Sequence, residues 1–268
     1  MELKVMEYNV LNGFLSWDCS SFESERLESS KQVVKEYSPD VLVLAEAVVY
    51  DNSDKGLSLQ DYAYAFGYNF AAHGKAGSKD VVRSNVVLSN YYLEGEDFSL
   101  PGFSFLRTRV SLDNFKLNLD VVHPKPQADD EERASFFRGV LRDSGERHII
   151  TGDFNSISPE DSYDKEKIRK GFSKVYPGME DLITGNWFKM KAVQELIDHG
   201  FKDSFKSLNE SGYTVPTDLC SKNKDTAVRL DYLFTSRDID VLDSGIIQNE
   251  MTNKASDHHP IYAKLRIN

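Results

Sequence analysis

The feature that most restricts the fold of this chain is the alternation of strand-like and helix-like segments along its whole length. Some strand-like segments follow one another through a short turn, as "FLRTRVSL" and "FKLNLDVVH" do around Asp113-Asn114. Others are separated by segments with helical spacing, such as residues 23–37 and "DDEERASFFRGVLRDSG". Strand pairs mixed with helices favour α/β layers with antiparallel sheets over a doubly wound parallel sheet.

The pattern also predicts particular elements. "VVLSN" and "YYLEGEDFSL" are predicted to pair as strands, and "NWFKMKAVQELIDHG" is predicted to be one helix that ends at Gly200. A final strand is predicted from Pro260, with alternate residues from Ile261 to Ile267 turned inward. The polar segment 156–185 is flanked by elements of the same kind, so residues 1–268 are interpreted as one domain.

Composition limits the partners and the compartment. The net charge of −11 excludes a global basic field that would draw the protein to nucleic acid, although a local basic groove stays open. Cys19 and Cys220 have no paired spacing and are interpreted as reduced thiols. No apolar run approaches the length of a membrane helix, so no membrane insertion is expected. We therefore expect a cytoplasmic monomer, with secretion open if a signal peptide has been removed.

Polar residues lie at the ends of strand-like segments or inside them. Taken singly, a strand-end Asn or Asp usually caps a turn, and a His beside a strand is usually structural. Glu46 in "LAEAV" and Asp231 in "RLDYLF" are harder to explain, because a carboxylate inside an apolar strand is costly without a cation or a specific partner. The full set is Asn9, Glu46, His123, Asp153, Asn155, Asp231, Asp257 and His258.

This set of residue types indicates metal-assisted hydrolysis of a phosphate ester. Oxygen ligands from Glu, Asp and Asn suit Mg²⁺, which needs only one or two carboxylates besides water and substrate phosphate. A histidine oriented by a carboxylate supplies a general base or electrostatic stabilisation. The sequence contains neither the Gly-x-Ser-x-Gly motif of an activated serine nor a P-loop.

The motifs "YNVLNG", "LAEAV", "ITGDFNS", "RLDYLF" and "SDHHP" occur in the order found in the endonuclease/exonuclease/phosphatase superfamily, which the chain resembles from residue 1 to residue 268. The resemblance implies a four-layer α/β/β/α sandwich, in which two mainly antiparallel sheets pack face to face with helices outside. It also implies a Mg²⁺-dependent phosphodiesterase or phosphatase in which Mn²⁺ can substitute.

The resemblance assigns roles to individual positions. It implies Glu46 as the principal metal ligand, with Asn9 and Asp257 beside it. It implies that Asp153 orients or deprotonates the attacking water, and that Asn155 holds that water or a phosphate oxygen. It implies that His258 contacts the scissile phosphate and that Asp231 fixes the tautomer of His258. Which of Asp153 and His258 is the base stays open.

Five further positions carry weaker expectations. The resemblance places His123, in "DVVHPKP", where some branches of the superfamily have a second histidine that could protonate the leaving oxygen. Arg109 could meet a phosphate, although a solvated strand arginine is an equal alternative. Tyr213 and Thr217, in a long polar segment, could touch substrate or belong to a plain connector. His259 would point away from His258 in an extended segment, which favours a structural role.

Three functions stay open at this point. The first is hydrolysis of DNA or RNA, which predicts a groove of lysines and arginines and salt-sensitive binding. The second is hydrolysis of a small or lipid-derived phosphodiester such as a phosphoinositide or sphingomyelin, which predicts a narrow pocket. The third is a non-catalytic binding module on the same fold, which all the expected polar residues argue against. The breadth of the superfamily favours the first.

Overall fold

The chain alternates strands and helices from its first residues to its last. A computed structural model describes residues 1–50, 56–77, 82–178, 180–208 and 211–268. The strands are β1 (Glu2–Asn9), β2 (Val41–Val48), β3 (Phe70–Gly77), β4 (Val82–Ser89), β5 (Leu93–Asp97), β6 (Phe103–Leu112), β7 (Phe115–Pro124), β8 (His148–Asp153), β9 (Lys202–Asp203), β10 (Asp231–Thr235), β11 (Ile239–Ile246) and β12 (Ile261–Ile267). The helices are α1 (Ser24–Tyr37), α2 (Leu59–Phe66), α3 (Asp130–Leu141), α4 (Lys165–Val175), α5 (Glu180–Trp187), α6 (Lys191–Asp198) and α7 (Glu250–Ala255).

The strands form two six-stranded sheets. The first sheet has the order β11-β12-β1-β2-β4-β3, and the second has the order β5-β6-β7-β8-β10-β9. In each sheet one neighbouring pair is parallel, β1 with β2 and β7 with β8, and the other pairs are antiparallel. The prediction of mainly antiparallel sheets is therefore confirmed.

Three apolar clusters define four layers. Between the sheets, Val5 and Val43 of the first sheet belong to one buried cluster with Leu119 and Leu233 of the second. Outside the first sheet, a cluster joins its outer face to α1 and α2. Outside the second sheet, another joins its outer face to α3 and α6. Helices thus cover both outer faces, as the resemblance implies.

The strand pairing of residues 82–112 differs in part from the prediction. The β6–β7 hairpin forms as expected, with Leu112 opposite Phe115. "VVLSN" and "YYLEGEDFSL" do not pair, because β4 lies between β2 and β3 in the first sheet while β5 pairs with β6 in the second. The short connection at residues 90–92 carries the chain from one sheet to the other. Alternation of apolar residues identifies a strand but does not specify its partner.

The predicted helix in "NWFKMKAVQELIDHG" is interrupted. Helix α5 ends at Trp187 and α6 begins at Lys191, because Met190 between them has a left-handed backbone with φ of 61°. The predicted end is confirmed, since Gly200 follows α6 with φ of 86°. The polar segment 156–185 also contains α4 and most of α5.

Other sequence-based expectations agree with the structure. The last strand alternates as predicted, with Ile261, Ala263, Leu265 and Ile267 buried. Cys19 and Cys220 are unpaired thiols. Across the described ranges, no helix has the length and apolar character that a membrane crossing requires.

Candidate active site

The predicted site residues meet at one edge of the two sheets. Strands β1, β2, β7 and β8 end at this edge, and β10 and β12 begin there, because each runs antiparallel to one of its neighbours. The register of β8 and β10 places Asp153 directly opposite Asp231. The residues brought together are Asn9, Glu46, His123, Asp153, Asn155, Asp231 and His258.

Two of these residues have an unusual backbone. Glu46 lies in an irregularity of the β2–β4 pairing and has φ of 55°, and Asn155 has φ of 47° just after β8. Left-handed backbone is uncommon for residues other than glycine, and such strain concentrates at functional sites. The neighbouring Gly152 is required for packing, because a Cβ atom there would collide with the carbonyl oxygen of Val122 on β7. The backbone at this edge is therefore held in a specific shape.

Glu46, Asp153 and His123 form a group that could hold a cation. The Nε2 atom of His123 lies 3.6 Å from Glu46 Oε1 and 3.6 Å from Asp153 Oδ2. Potential ligand atoms of these three side chains all lie within 4.8 Å of one another. Asn9 donates from Nδ2 to Asp153 Oδ2 at 3.1 Å and to Glu46 Oε1 at 3.5 Å, so it links the two carboxylates.

The assignment of Glu46, Asn9 and Asp257 as metal ligands stays a prediction, and the contacts of Asn9 and Asp257 bear on it. The Oδ1 atom of Asn9 accepts from the backbone N–H of Leu11 at 3.0 Å and keeps one further lone pair. Asp257 accepts from Ser256 Oγ at 3.2 Å and lies outside the groups of close ligand atoms found among the described residues. Among the described acids and histidines, Asp153 and His123 are the residues grouped with Glu46.

The charges at the edge fit a bound divalent cation. Burial would raise the pKa of Glu46, but His123, Arg83 and His258 outweigh it and lower the pKa. Burial raises the pKa of Asp153 to about 6, helped by Asp231 and opposed by His258 and His123. Carboxylates held this close in a buried place are costly unless a cation offsets them, and oxygen donors are those that Mg²⁺ prefers.

His258 and Asp231 form a hydrogen-bonded pair. His258 Nδ1 lies 2.8 Å from Asp231 Oδ2, and His258 Nε2 lies 3.7 Å from Asp153 Oδ2. Asp231 is fully buried and fixes the ring so that Nε2 faces the site. Burial alone would lower the pKa of His258, but the attraction of Asp231, Asp257 and Asp153 raises it well above its ordinary value.

His259 points the other way, as alternation predicts. Its Nδ1 atom lies 3.0 Å from Thr252 Oγ1, and its backbone N–H donates to Thr214 O at 2.8 Å. Burial lowers the pKa of His259 to about 4, with the charge of Lys224 acting in the same direction. These contacts give His259 a structural role.

Asn155 ties the ends of two strands together. Its backbone N–H donates to Asp153 Oδ1 at 2.8 Å, and its Nδ2 donates to Pro124 O at 2.9 Å. The first bond orients Asp153, and the second joins the exit of β8 to the exit of β7, which carries His123.

The three weaker substrate candidates lie in different surroundings. Arg109 is exposed on β6 and lies five residues from Ser104, which is opposite His123. Thr217 is fully buried; its Oγ1 donates to Ser256 O, and its N–H donates to Asp257 O at 3.2 Å. Tyr213 packs its ring against His259 at 5.8 Å. Contact of Arg109, Tyr213 and Thr217 with substrate stays a prediction, with a solvated position or a packing role as the alternative.

Three relevant residues were missed from the sequence. Arg83 donates from Nε to Asn12 Oδ1 at 2.9 Å and lies 3.4 Å from Glu46 Oε2. Arg26 is buried and ties together the loop after β1 and the end of α7, but its position in an amphipathic helix gave no signal. Glu7 is a fully buried acid on β1, and the signal was available, because alternation places it on the same face as Asn9.

A cavity of about 400 Å³ opens beside these groups. We call its polar side the catalytic floor, which comprises Glu46, Asp153, Asn155, Asp257 and His258. Helices α4 and α5 and residues 215–230 supply much of the remaining lining. The floor therefore faces a space large enough for a small organic group.

The fold and its carboxylate–histidine edge are those of an α/β-sandwich phosphoesterase. The model of the endonuclease/exonuclease/phosphatase family matches residues 6–258, and the chain belongs to this family. Members of the family are hydrolases that act on phosphoester bonds and generally use a divalent metal.

Solved structures agree in fold at low sequence identity. An endonuclease/exonuclease/phosphatase from Beutenbergia cavernae is 18% identical with a TM-score of 0.68, over 100% of this chain and 72% of that one. D. rerio TDP2 complexed with single strand DNA product is 17% identical with a TM-score of 0.65, over 99% of each chain. An AP endonuclease from Archaeoglobus fulgidus is 19% identical with a TM-score of 0.66, over 97% of this chain and 98% of that one. No curated protein sequence matches the chain.

Proposed function

We propose that this protein is a Mg²⁺-dependent hydrolase of phosphodiester bonds, with Mn²⁺ as a substitute. The observation that carries the proposal is the convergence of two groups on one cavity. Glu46, Asp153 and His123 form the oxygen-rich group, and the His258–Asp231 pair stands next to it. A bound Mg²⁺ would neutralise charge and polarise a phosphoryl oxygen.

Residues of the chain itself would orient the water and transfer the protons. In the hydrolysis, the oxygen of a water forms a bond to phosphorus, the ester P–O bond breaks, and the leaving oxygen takes a proton. Asp153, whose pKa is about 6, is suited to orient the water and accept its proton near neutral pH. Asn155 holds the orientation of Asp153 through its backbone N–H.

We assign to His258 the contact with the scissile phosphate. Its raised pKa keeps the ring protonated near neutral pH, so Nε2 can donate to a phosphoryl oxygen and stabilise developing negative charge. Asp231 holds the ring in that orientation at 2.8 Å. His123, 3.6 Å from both Glu46 and Asp153, stands where it could bind the metal or supply the proton to the leaving oxygen.

The substrate has two candidates. The likeness to D. rerio TDP2 with a DNA product and to an AP endonuclease favours nucleic acid. The net charge of −11 and a cavity of about 400 Å³ without Lys or Arg in its described lining favour a small phosphodiester, because nucleic acid needs a basic surface. Both candidates share the same chemistry at phosphorus.

The test compares two substrates with one pair of variants. Purified protein is assayed with Mg²⁺ on supercoiled plasmid DNA and on bis(4-nitrophenyl) phosphate, with and without EDTA. Asp153→Asn removes the proton acceptor, and Asp240→Asn, an exposed change on β11, is the matched control. We expect activity that EDTA and Asp153→Asn abolish and that Asp240→Asn leaves unchanged. Protein that is folded but inactive on both substrates would contradict the hydrolase proposal for simple phosphodiesters.

A further inference from the structure

Besides the catalytic floor and the polar residues Gln127, Asn186, Ser221 and Thr226, the cavity lining contains a group of apolar, largely aromatic side chains. Phe172 of α4 stacks on Tyr176 with ring centroids 6.1 Å apart, and it meets Trp187 of α5 edge-on at 5.4 Å. We call this surface, completed by Val215, Pro216 and Leu230, the apolar wall. The wall and the floor line the same cavity, so one ligand can touch both.

The apolar wall has no cation to receive a second anionic group. Among the described residues that line the cavity there is no Lys or Arg, whereas Glu46, Asp153 and Asp257 are acids. Lys224 lies behind the wall, where its Nζ donates to Pro216 O at 2.9 Å and pairs with Asp218 at 3.2 Å. A second phosphate held against the apolar wall would therefore find no Lys or Arg side chain in the described lining to offset its charge.

The mouth of the cavity leaves large aromatic side chains in solvent. Tyr176 is 45% exposed and Trp17, which lines the same cavity, is 60% exposed. Exposed aromatic residues around a concave apolar surface are typical of sites that bury an apolar ligand group. This observation is independent of the charges.

We propose that the substrate carries an uncharged, apolar, ring-sized group attached to its scissile phosphate, and that the apolar wall holds this group. The inference rests on the proposed function, because it assumes that the floor binds the phosphate. It makes Phe172, Tyr176 and Trp187 specificity-determining residues. The ring could belong to a nucleotide base or to a non-nucleotide ester, which share this chemistry.

Three phosphonates that are not hydrolysed test the proposal. Methylphosphonate, benzylphosphonate and p-xylylenediphosphonate differ only by a ring and then by a second anionic group on that ring. Their binding to wild-type protein with Mg²⁺ is measured by calorimetry, which needs no turnover. We expect benzylphosphonate to bind roughly tenfold to a hundredfold more tightly than methylphosphonate, as burial of one ring predicts. We expect the diphosphonate to lose most of that gain.

Variants locate the effect on the apolar wall. Tyr176→Ala and Trp187→Ala should reduce the preference for the benzyl group, whereas Tyr64→Ala, at a residue 89% exposed on α2, should not. Thermal denaturation confirms that each variant is folded. Equal affinity for the methyl and benzyl ligands, tighter binding of the diphosphonate, or a preference unchanged in both wall variants would overturn the proposal.

Two further results distinguish the possible sources of the ring, and they distinguish the role of the wall from the proposed hydrolase function. Thymidine 5′-monophosphate binding more tightly than benzylphosphonate identifies the ring as a nucleotide base, and weaker binding identifies a non-nucleotide group; each keeps the proposal. Wall-dependent binding by a protein that hydrolyses no phosphodiester would refute the proposed hydrolase and leave the wall's preference standing. Hydrolysis of phosphodiesters by a protein that shows no preference for the benzyl ligand would refute the role of the wall and leave the proposed hydrolase standing.

Discussion

The catalytic floor and the apolar wall are built in different ways. Floor residues such as Asp153 and His258 lie at the ends of buried strands and are held by hydrogen bonds of 2.8 Å. The wall depends on α4 and α5, which pack through aromatic contacts outside the sheets. Rigid strand ends suit chemistry that needs fixed geometry, whereas connecting segments are where specificity usually varies. Variants of the floor should therefore change kcat, and variants of the wall should change KM.

After the loss of activity expected for Asp153→Asn, His258→Ala should have the largest effect. Loss of the protonated ring removes a donor to the developing charge, so kcat on bis(4-nitrophenyl) phosphate should fall roughly 10³-fold. KM should change little, because the interaction is strongest in the transition state. His259→Asn is the matched control for the neighbouring position, and it should keep most of kcat. A larger loss in the control would contradict the assignment of the two histidines.

Arg26→Met should reduce stability more than any other change to the support of the floor. The guanidinium donates to Ala255 O, Leu15 O, Val10 O and Leu11 O at 2.7–2.9 Å. Buried carbonyls left without donors should lower the free energy of unfolding by about 2–4 kcal/mol.

Chemical denaturation measures this effect against Lys35→Met, an exposed change on the same helix. Because Arg26 joins the segments that carry Asn9 and Asp257, the variant should also bind Mg²⁺ more weakly. A stable variant with unchanged Mg²⁺ affinity would show that the floor does not depend on this residue.

Asp231→Asn should lower kcat by roughly 10- to 100-fold. A neutral amide holds the His258 ring less firmly than the carboxylate and does not stabilise its protonated form. Asp231 raises the pKa of His258, so the same variant should move the loss of activity at high pH to a lower pH. A pH–rate profile measures both effects. An unshifted profile would show that His258 is not the group whose titration limits activity at high pH.

Tyr176→Ala tests the wall in turnover. We expect KM for an aromatic phosphodiester to rise about threefold to tenfold with kcat nearly unchanged, because a half-exposed ring contributes only part of its area. The comparison substrate is dimethyl phosphate, whose KM should not change. A fall in kcat alone would place Tyr176 in the chemistry and not in the wall.

Glu7→Gln should have the smallest effect, and only on stability. Burial, followed by the charges of Asp231 and Asp153, raises the pKa of Glu7 well above its ordinary value of 4.5. Above that pH the unfolded chain releases the proton that the folded protein keeps, so wild-type stability falls as pH rises. The variant should be more stable than wild type, by a margin that grows as the pH rises above the ordinary pKa of a glutamate. A constant margin would mean that Glu7 is ionised in the fold.

The floor could be predicted from the sequence because its signals are local. A carboxylate inside an apolar strand, as at Glu46 and Asp231, is costly unless a cation or a specific partner compensates it, so it indicates a functional site. That Asp153 lies beside Glu46 and His123 could not be predicted, because it depends on the order of the strands in the sheets. Alternation of apolar residues does not specify that order. The sandwich followed from the family motifs, but the sheet switch between β4 and β5 did not.

The wall could not be predicted in the same way. Segment 156–185 is polar on average, and its apolar residues acquire meaning only when α4 and α5 pack together. Arg26 likewise resembled an ordinary surface charge, because its carbonyl partners lie outside its own helix, in the loop after β1 and, for Ala255, near the other end of the sequence. Long-range contacts of this kind leave no periodic pattern.

The most direct test of the central claim is the rate of bis(4-nitrophenyl) phosphate hydrolysis as a function of Mg²⁺ concentration, for wild type beside Glu46→Gln and the exposed control Glu36→Gln. We predict saturable activation by Mg²⁺ in wild type and in the control. We predict that Glu46→Gln needs at least tenfold more Mg²⁺ and reaches a much lower rate, as loss of a metal ligand implies. A rate that is independent of Mg²⁺, or a Glu46→Gln variant with the wild-type response, would contradict the account.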